Sequence, residues 1–154
     1  LPGQLKDFGR DAEIMIIASV GGNNSKAENT PDNFVSTEDE YREEMESLLE
    51  QLIESSDSLI IVSNTYVDES KTNPKTNPFT GGSSFFTNER RGKFNQITQE
   101  LCDAKQVPFV AVSQTIEEWI ERYQYKDGLH PNQAGHQQIF EAIEPHLPKI
   151  KEER

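Results

Sequence analysis

Asp127-Gly128-Leu129-His130 stands near the end of the chain, followed at once by Pro131-Asn132 and, a little further on, by Gly135-His136. A carboxylate three residues before a histidine can fold back on it across one tight turn. Its oxygen then holds one ring nitrogen and leaves the other to take a proton. That is the base half of a serine-hydrolase triad, in which the carboxylate fixes tautomer and orientation and stabilises the imidazolium. Gly128 permits the turn, and Pro131 suits the first position of a helix, which predicts His130 at a helix N-terminus. The bland alternative gives these residues capping roles only, Asp127 in a turn and His130 before a helix.

A second group lies at the other end of the chain. Residues 12–20 (Ala-Glu-Ile-Met-Ile-Ile-Ala-Ser-Val) form a short, nearly continuous apolar run, and Gly21-Gly22-Asn23-Asn24-Ser25 follows. Such a run suits a strand buried on both faces, as in a parallel sheet covered by helices. Active groups in open α/β sheets sit beyond the carboxyl ends of strands, where residues 21–25 fall. Taken alone, Asn23 reads as an ordinary turn residue; joined to the Asp127–His130 pair it acquires a chemical partner.

These motifs resemble the SGNH, or GDSL-type, esterase and acylhydrolase family. Its last block is an Asp-x-x-His pair followed by Pro and a helix, matched here by the run from Asp127 through His136. Its Gly-x-Asn-Asp block is matched by Gly21-Gly22-Asn23, with Asn24 departing from the pattern at the fourth position. The resemblance implies that Asp127 and His130 are catalytic and that the Asn23 side chain donates to the oxyanion. It also implies an oxyanion role for the backbone N–H of Gly3, where a Cβ would obstruct close approach. The family's first block, Gly-Asp-Ser, which carries the nucleophilic serine, occurs nowhere in this sequence, nor does a Gly-x-Ser-x-Gly elbow. The expectation is therefore an N-terminally incomplete domain whose nucleophile, first strand and most of strand two lie upstream of Leu1. Ser19, Ser25, Ser63, Ser83, Ser84 and Ser113 carry no signature of an activated nucleophile, which needs a rigid seat and a base within reach.

Composition agrees with one α/β domain. The chain has 154 residues, enough for a single core, and is 33% hydrophobic. A net charge of −12 argues against binding nucleic acid, or an anionic membrane surface, by charge attraction. Single Cys102 excludes an intrachain disulfide. No His/Cys cluster has ligand spacing, so no metal is expected, and no run approaches transmembrane length.

Strand-like and helix-like segments alternate. A short helix is expected over 4–10, then the strand at 13–20 and a polar loop over 23–36. Thr37-Glu38-Asp39-Glu40 has capping-box form and opens a helix with Tyr41, Met45, Leu48, Leu49, Leu52 and Ile53 on one stripe. Residues 58–63 read as the next buried strand. A long loop is expected over 64–87, bordering the cleft or disordered. A helix over about 88–105, a strand at 107–112, a short helix holding Trp119 and a last helix over 132–147 complete the pattern. Residues 1–148 are expected to form one domain and 149–154 a frayed tail. Alternation implies parallel pairing through right-handed crossovers. The resemblance makes this a three-layer α/β/α sandwich with a flavodoxin-like parallel sheet, of which the chain supplies strands three to five.

The implied function is a serine ester hydrolase acting on small acyl esters or on acylated carbohydrate or lipid, with no cofactor. By itself the chain is expected to fold poorly and not to hydrolyse esters. One alternative is a catalytically inactive SGNH-like domain that binds a glycan or a protein. Another is a flavodoxin-like binding domain sharing only the layer order, against which stands the lack of a glycine-rich phosphate loop at a strand–helix junction.

Overall fold

The computed structural model describes residues 13–148. Along them run β1 (Met15–Ala18), β2 (Ala27–Glu28), α1 (Glu38–Glu54), β3 (Ser58–Val62), α2 (Glu69–Thr72), β4 (Lys75–Thr76), β5 (Ser83–Phe85), α3 (Asn88–Ala104), β6 (Phe109–Val110), α4 (Ile116–Glu118) and α5 (Gln133–Ile143). A π-helical turn, Trp119–Tyr123, continues α4, and a 3-10 turn, Glu144–His146, continues α5.

β3 lies between β1 and β6, parallel to both, with Ile16 opposite Leu59 and Ile61 opposite Phe109. Side chains alternate across a pleated strand, so consecutive residues of β3 serve two different cores. Leu59 and Ile61 pack with Tyr41, Met45, Leu49 and Leu52 of α1 and with Phe94, Ile97 and Leu101 of α3. Ile60 and Val62 point the other way and pack with Val110 and Ile143. Helices thus cover both faces of the sheet, the three-layer α/β/α arrangement. The Tyr41 and Phe94 rings stack 4.2 Å apart, and the buried Tyr41 hydroxyl is paired with Thr98 at 2.8 Å.

The local sequence signals explain the helix starts. Thr37 Oγ1 accepts from the Glu40 N–H while Glu40 accepts from the Thr37 N–H, a complete capping box, and Thr87 caps α3. Of the expected stripe on α1, Ile53 remains 40% exposed, so the buried face is narrower than the apolar one.

Four expectations need correction. The segment 64–87 is not a structureless loop: it holds α2, β4 and β5, and β2 joins β5 and β4 in a small antiparallel sheet. Strands of two or three residues carry too little alternation to be read from sequence. Likewise, the polar segment 23–36 contains β2. Only Phe109–Val110 of the stretch 107–112 pairs as strand, because β3 reaches just that far alongside it. Finally, α5 begins at Gln133, capped by the Asn132 side chain, which accepts from the Gly135 N–H at 2.9 Å. Pro131 instead bridges to Gln124 outside the helix, so His130 is not at its first turn. The expected helix at 4–10 and tail at 149–154 lie outside the described residues.

Phe94 is fully buried at the centre of the larger core, whereas Phe79 is 95% exposed. Phe94→Ala should destabilise the protein by about 3–5 kcal/mol in chemical denaturation. Phe79→Ser should stay within about 0.5 kcal/mol of the parent. Equal costs for the two would mean that the stacked ring is not a core residue.

Candidate active site

Gly128 sits at φ +73°, and a Cβ there would stand 2.8 Å from the Lys71 Cβ, so glycine is required both by conformation and by space. The turn this permits closes on Asp127. One carboxylate oxygen accepts from the Leu129 N–H at 2.9 Å and the His130 N–H at 3.1 Å, and the other lies 2.6 Å from His130 Nδ1. Burial by itself pushes the Asp127 carboxyl up. The backbone bond from Leu129, the bonds from the His130 ring and N–H, and the ring's charge outweigh it and hold the carboxyl at about 2. An ionised carboxylate only accepts, so in the neutral ring Nδ1 carries the proton and Nε2 keeps the free lone pair.

The segment 64–87 buttresses this turn. Asp68 N–H donates to the Gly128 carbonyl at 2.8 Å, and Lys75 Nζ donates to the Asp127 carbonyl at 2.9 Å. Lys75 is also 3.9 Å from the Asp127 carboxylate, a cation beside an ionised group. Neither lysine nor aspartate is distinguishable in sequence from any other polar loop residue.

At the carboxyl end of β1 the chain turns sharply through Gly21, at φ +89°, whose absent Cβ leaves room for the Tyr41 hydroxyl. The loop is pinned from several sides. Asn64 Nδ2 donates to the Val20 carbonyl at 2.8 Å, and Asn64 is itself locked to Asn95 by bonds in both directions. Ser25 Oγ donates to the Gly22 carbonyl, and Arg90 donates to the Ser25 and Ser36 carbonyls. Asn24 donates to Ser36 Oγ and to the Glu44 carboxylate at 3.3 Å. An aspartate at this position would face that carboxylate with like charge. Asn23 is exposed, and its side chain has no hydrogen-bond partner among the described residues.

Asn23 and His130 line one cleft of about 690 Å³ at the carboxyl edge of the parallel sheet. Its walls include Ile17, Val62, Ile139 and Ile143, and its polar end includes Asn64, Thr65 and Arg91. Asn64, Thr65 and Phe86 put both ends of the segment 64–87 on the cleft. Arg91 is 8% exposed, and burial lowers its guanidinium to about 10, still a cation at neutral pH. Sequence reading overlooked it because an arginine in the first turns of a polar helix face carries no motif. Ser19 and Ser63 also line the cleft, but neither is hydrogen-bonded to His130. Gly3 lies outside the described residues. None of the described helices is long and apolar enough to cross a membrane.

The lowered Asp127 carboxyl ties stability to pH with a definite sign. Its contribution is fully present above the ordinary carboxylate value of about 4. That contribution is lost as the pH falls through about 2. Asp127→Asn removes the titrating group, so the gap in unfolding free energy between parent and variant should narrow as pH drops from about 5 to about 2. A gap of constant size over that range would show that the turn does not hold the carboxylate.

Comparison with known proteins adds the family. Among curated proteins nothing matches the sequence. The fold is similar to that of an acetylxylan esterase from Geobacillus stearothermophilus, with TM-score 0.61 and 14% identity over 91% of this chain and 62% of that one. Catalytic mutants of that esterase replace a serine, an aspartate, and a histidine three positions beyond the aspartate. A lipase/acylhydrolase from Enterococcus faecalis gives TM-score 0.57 and 17% identity over 90% and 64% of the two chains. An alpha/beta hydrolase enzyme from the metagenome of Lake Arreo, Spain, gives 0.59 and 14% over 84% and 57%. At such identities the likeness is one of fold, and the chain spans between 57% and 64% of the length of these structures. The family described as GDSL-like lipase/acylhydrolase matches residues 1–138, and the chain belongs to it.

Proposed function

We propose that this chain carries the base and oxyanion half of a serine ester hydrolase acting on small acyl esters or on acylated carbohydrate or lipid. The observation that carries the reading is one cleft bordered by a histidine whose Nδ1 is held by an ionised carboxylate and by an asparagine whose amide has no partner among the described residues. The Asp-x-x-His spacing also equals that of the aspartate and histidine replaced in the Geobacillus esterase mutants.

In this reading a serine upstream of Leu1 attacks the ester carbonyl carbon. His130 Nε2 takes the hydroxyl proton as the bond forms, and Asp127 stabilises the resulting imidazolium. The carbonyl oxygen becomes an oxyanion that receives hydrogen bonds from the Asn23 amide, the Gly3 N–H and the serine's own N–H. Collapse expels the alcohol, which takes the proton from His130, and leaves the acyl group on the serine. Water then attacks with His130 again as base, releasing the acid. No step calls for a cofactor. An upstream serine is favoured over Ser19 or Ser63 because neither is hydrogen-bonded to His130.

The test is turnover of 4-nitrophenyl acetate by the full-length protein. His130→Ala should lower kcat by about 10²–10⁴-fold. Asn23→Ala should lower it by about 10²–10³-fold, with KM little changed. Unaltered turnover in either variant would sink the assignment of that residue. Absence of turnover in the parent, with a folded protein, would favour the inactive binding domain instead. Residues 1–154 produced alone should give no His130-dependent turnover; a positive result would move the nucleophile to Ser19 or Ser63. Shortening the segment 64–87 should change the ratio of kcat/KM between esters, since both its ends border the cleft.

A further inference from the structure

Arg91 is a buried cation at the cleft to which the mechanism gives no task. It rises from the first turns of α3, and its Nε donates to the Thr65 carbonyl at 2.8 Å. Its two terminal nitrogens have no hydrogen-bond partner among the described residues, and no ion pair of those residues includes it. Nη1 stands 3.5 Å from the point a Gly22 Cβ would occupy, beside the loop that carries Asn23. The guanidinium head therefore lies in the polar end of the cleft.

Removing a cation from water is costly unless an anion and hydrogen bonds replace the lost solvation. The chain has 27 acidic residues against 15 basic ones, so a carboxylate partner is the commonest group available. Other cations take one: Arg42 pairs with Glu100, Lys105 with Glu46 and Glu50, and Lys93 with Glu38 and Glu89. Arg90, next in sequence, uses its donors on two backbone carbonyls and lies over the Phe34 ring at 3.7 Å. Among the described cations Arg91 alone is more than nine-tenths buried, and it lines the cleft with a planar pair of N–H donors that have no partner among the described residues. That fork matches the two oxygens of a carboxylate.

We propose that Arg91 is a specificity residue that pairs, through Nη1 and Nη2, with a carboxylate carried by the ester substrate, so that the preferred substrate is an acidic ester. This rests on the ester-hydrolase reading above and narrows it. The carboxylate can belong to either half of the ester: to the acyl group, as in a half-ester of a dicarboxylic acid, or to the alcohol, as in an acylated uronic acid. The apolar walls formed by Ile17, Val62, Ile139 and Ile143 leave the rest of the molecule free to be hydrocarbon or sugar face.

The experiment compares charged and neutral esters of matched size in the full-length protein. For the acyl side the pair is the 4-nitrophenyl half-ester of glutaric acid and 4-nitrophenyl pentanoate. For the alcohol side it is the acetylated methyl glycoside of glucuronic acid, with its carboxylate free, and the carboxyl methyl ester of the same compound, followed by acetate release. In at least one pair, Arg91→Met should lower kcat/KM for the acidic ester at least about tenfold more than for the neutral one. Arg91→Lys should recover part of that difference. The pair that responds tells which half of the ester carries the charge. Calorimetric titration with glutarate and with neutral glutaramide supplies a readout independent of turnover, and thermal melting checks that each variant folds. A parallel fall for acidic and neutral esters would overturn the proposal. Arg91-dependent glutarate binding without any ester turnover would keep the anion site and reject the hydrolase reading. Ester turnover with no Arg91-dependent discrimination would do the opposite.

Discussion

Parallel pairing of β3 with β1 on one side and β6 on the other is the constraint from which the rest of the cleft follows. Strands that run the same way present their carboxyl ends at the same edge, so the loops after β1 and β3 emerge side by side. The first of these carries Asn23, and the second carries Asn64 and Thr65. Alternation along β3 then demands helices on both faces, because Leu59 and Ile61 point one way and Ile60 and Val62 the other. One of those coverings is α5, whose approach brings the preceding turn, with Asp127 and His130, to the same edge. A sheet exposed on one face would have no need of α5, and the turn would be held at this edge only by contacts such as those with Asp68 and Lys75.

Around that edge, precision comes from small polar contacts rather than from the core. Asn64 is the hub: it bonds the end of β1 through the Val20 carbonyl and α3 through Asn95. The antiparallel sheet of β2, β5 and β4 serves the other side by carrying Lys75 to the Asp127 carbonyl. Each such bond is worth only about 1 kcal/mol net. Their value lies in fixing where the Asp127 carboxylate and the His130 ring nitrogen stand at the cleft.

The charge pattern separates two kinds of cation. Most of the described lysines and arginines pair with carboxylates near the surface, where a pair contributes from nothing to about 1 kcal/mol. Arg90 is structural, spanning two carbonyls and an aromatic ring. Arg91 differs from its neighbour only in pointing inward, yet that turn of one residue along a helix, about 100°, moves it from a brace to the wall of the cleft.

The sequence by itself determined the alternation of strands and helices, the capping box at Thr37, and the Asp127–His130 turn. These rest on local rules: periodicity of two or 3.6, a side chain reaching its own backbone, and a glycine where φ must be positive. The family resemblance of the two motifs was legible for the same reason, because each lies within a few consecutive residues. What the tertiary structure decided was everything that depends on separation along the chain. It made a small sheet of the segment expected as a loop, because strands that short exist only when β2, from far upstream, pairs with them. It set the start of α5 at Gln133, because Pro131 is engaged by Gln124 across a bridge. It gave Asn24 a carboxylate partner, Lys75 a carbonyl and Arg91 none among the described residues, and no pattern in the neighbouring residues foretells any of the three. Long-range partners are chosen by packing, and packing is a property of the whole fold rather than of any stretch of it.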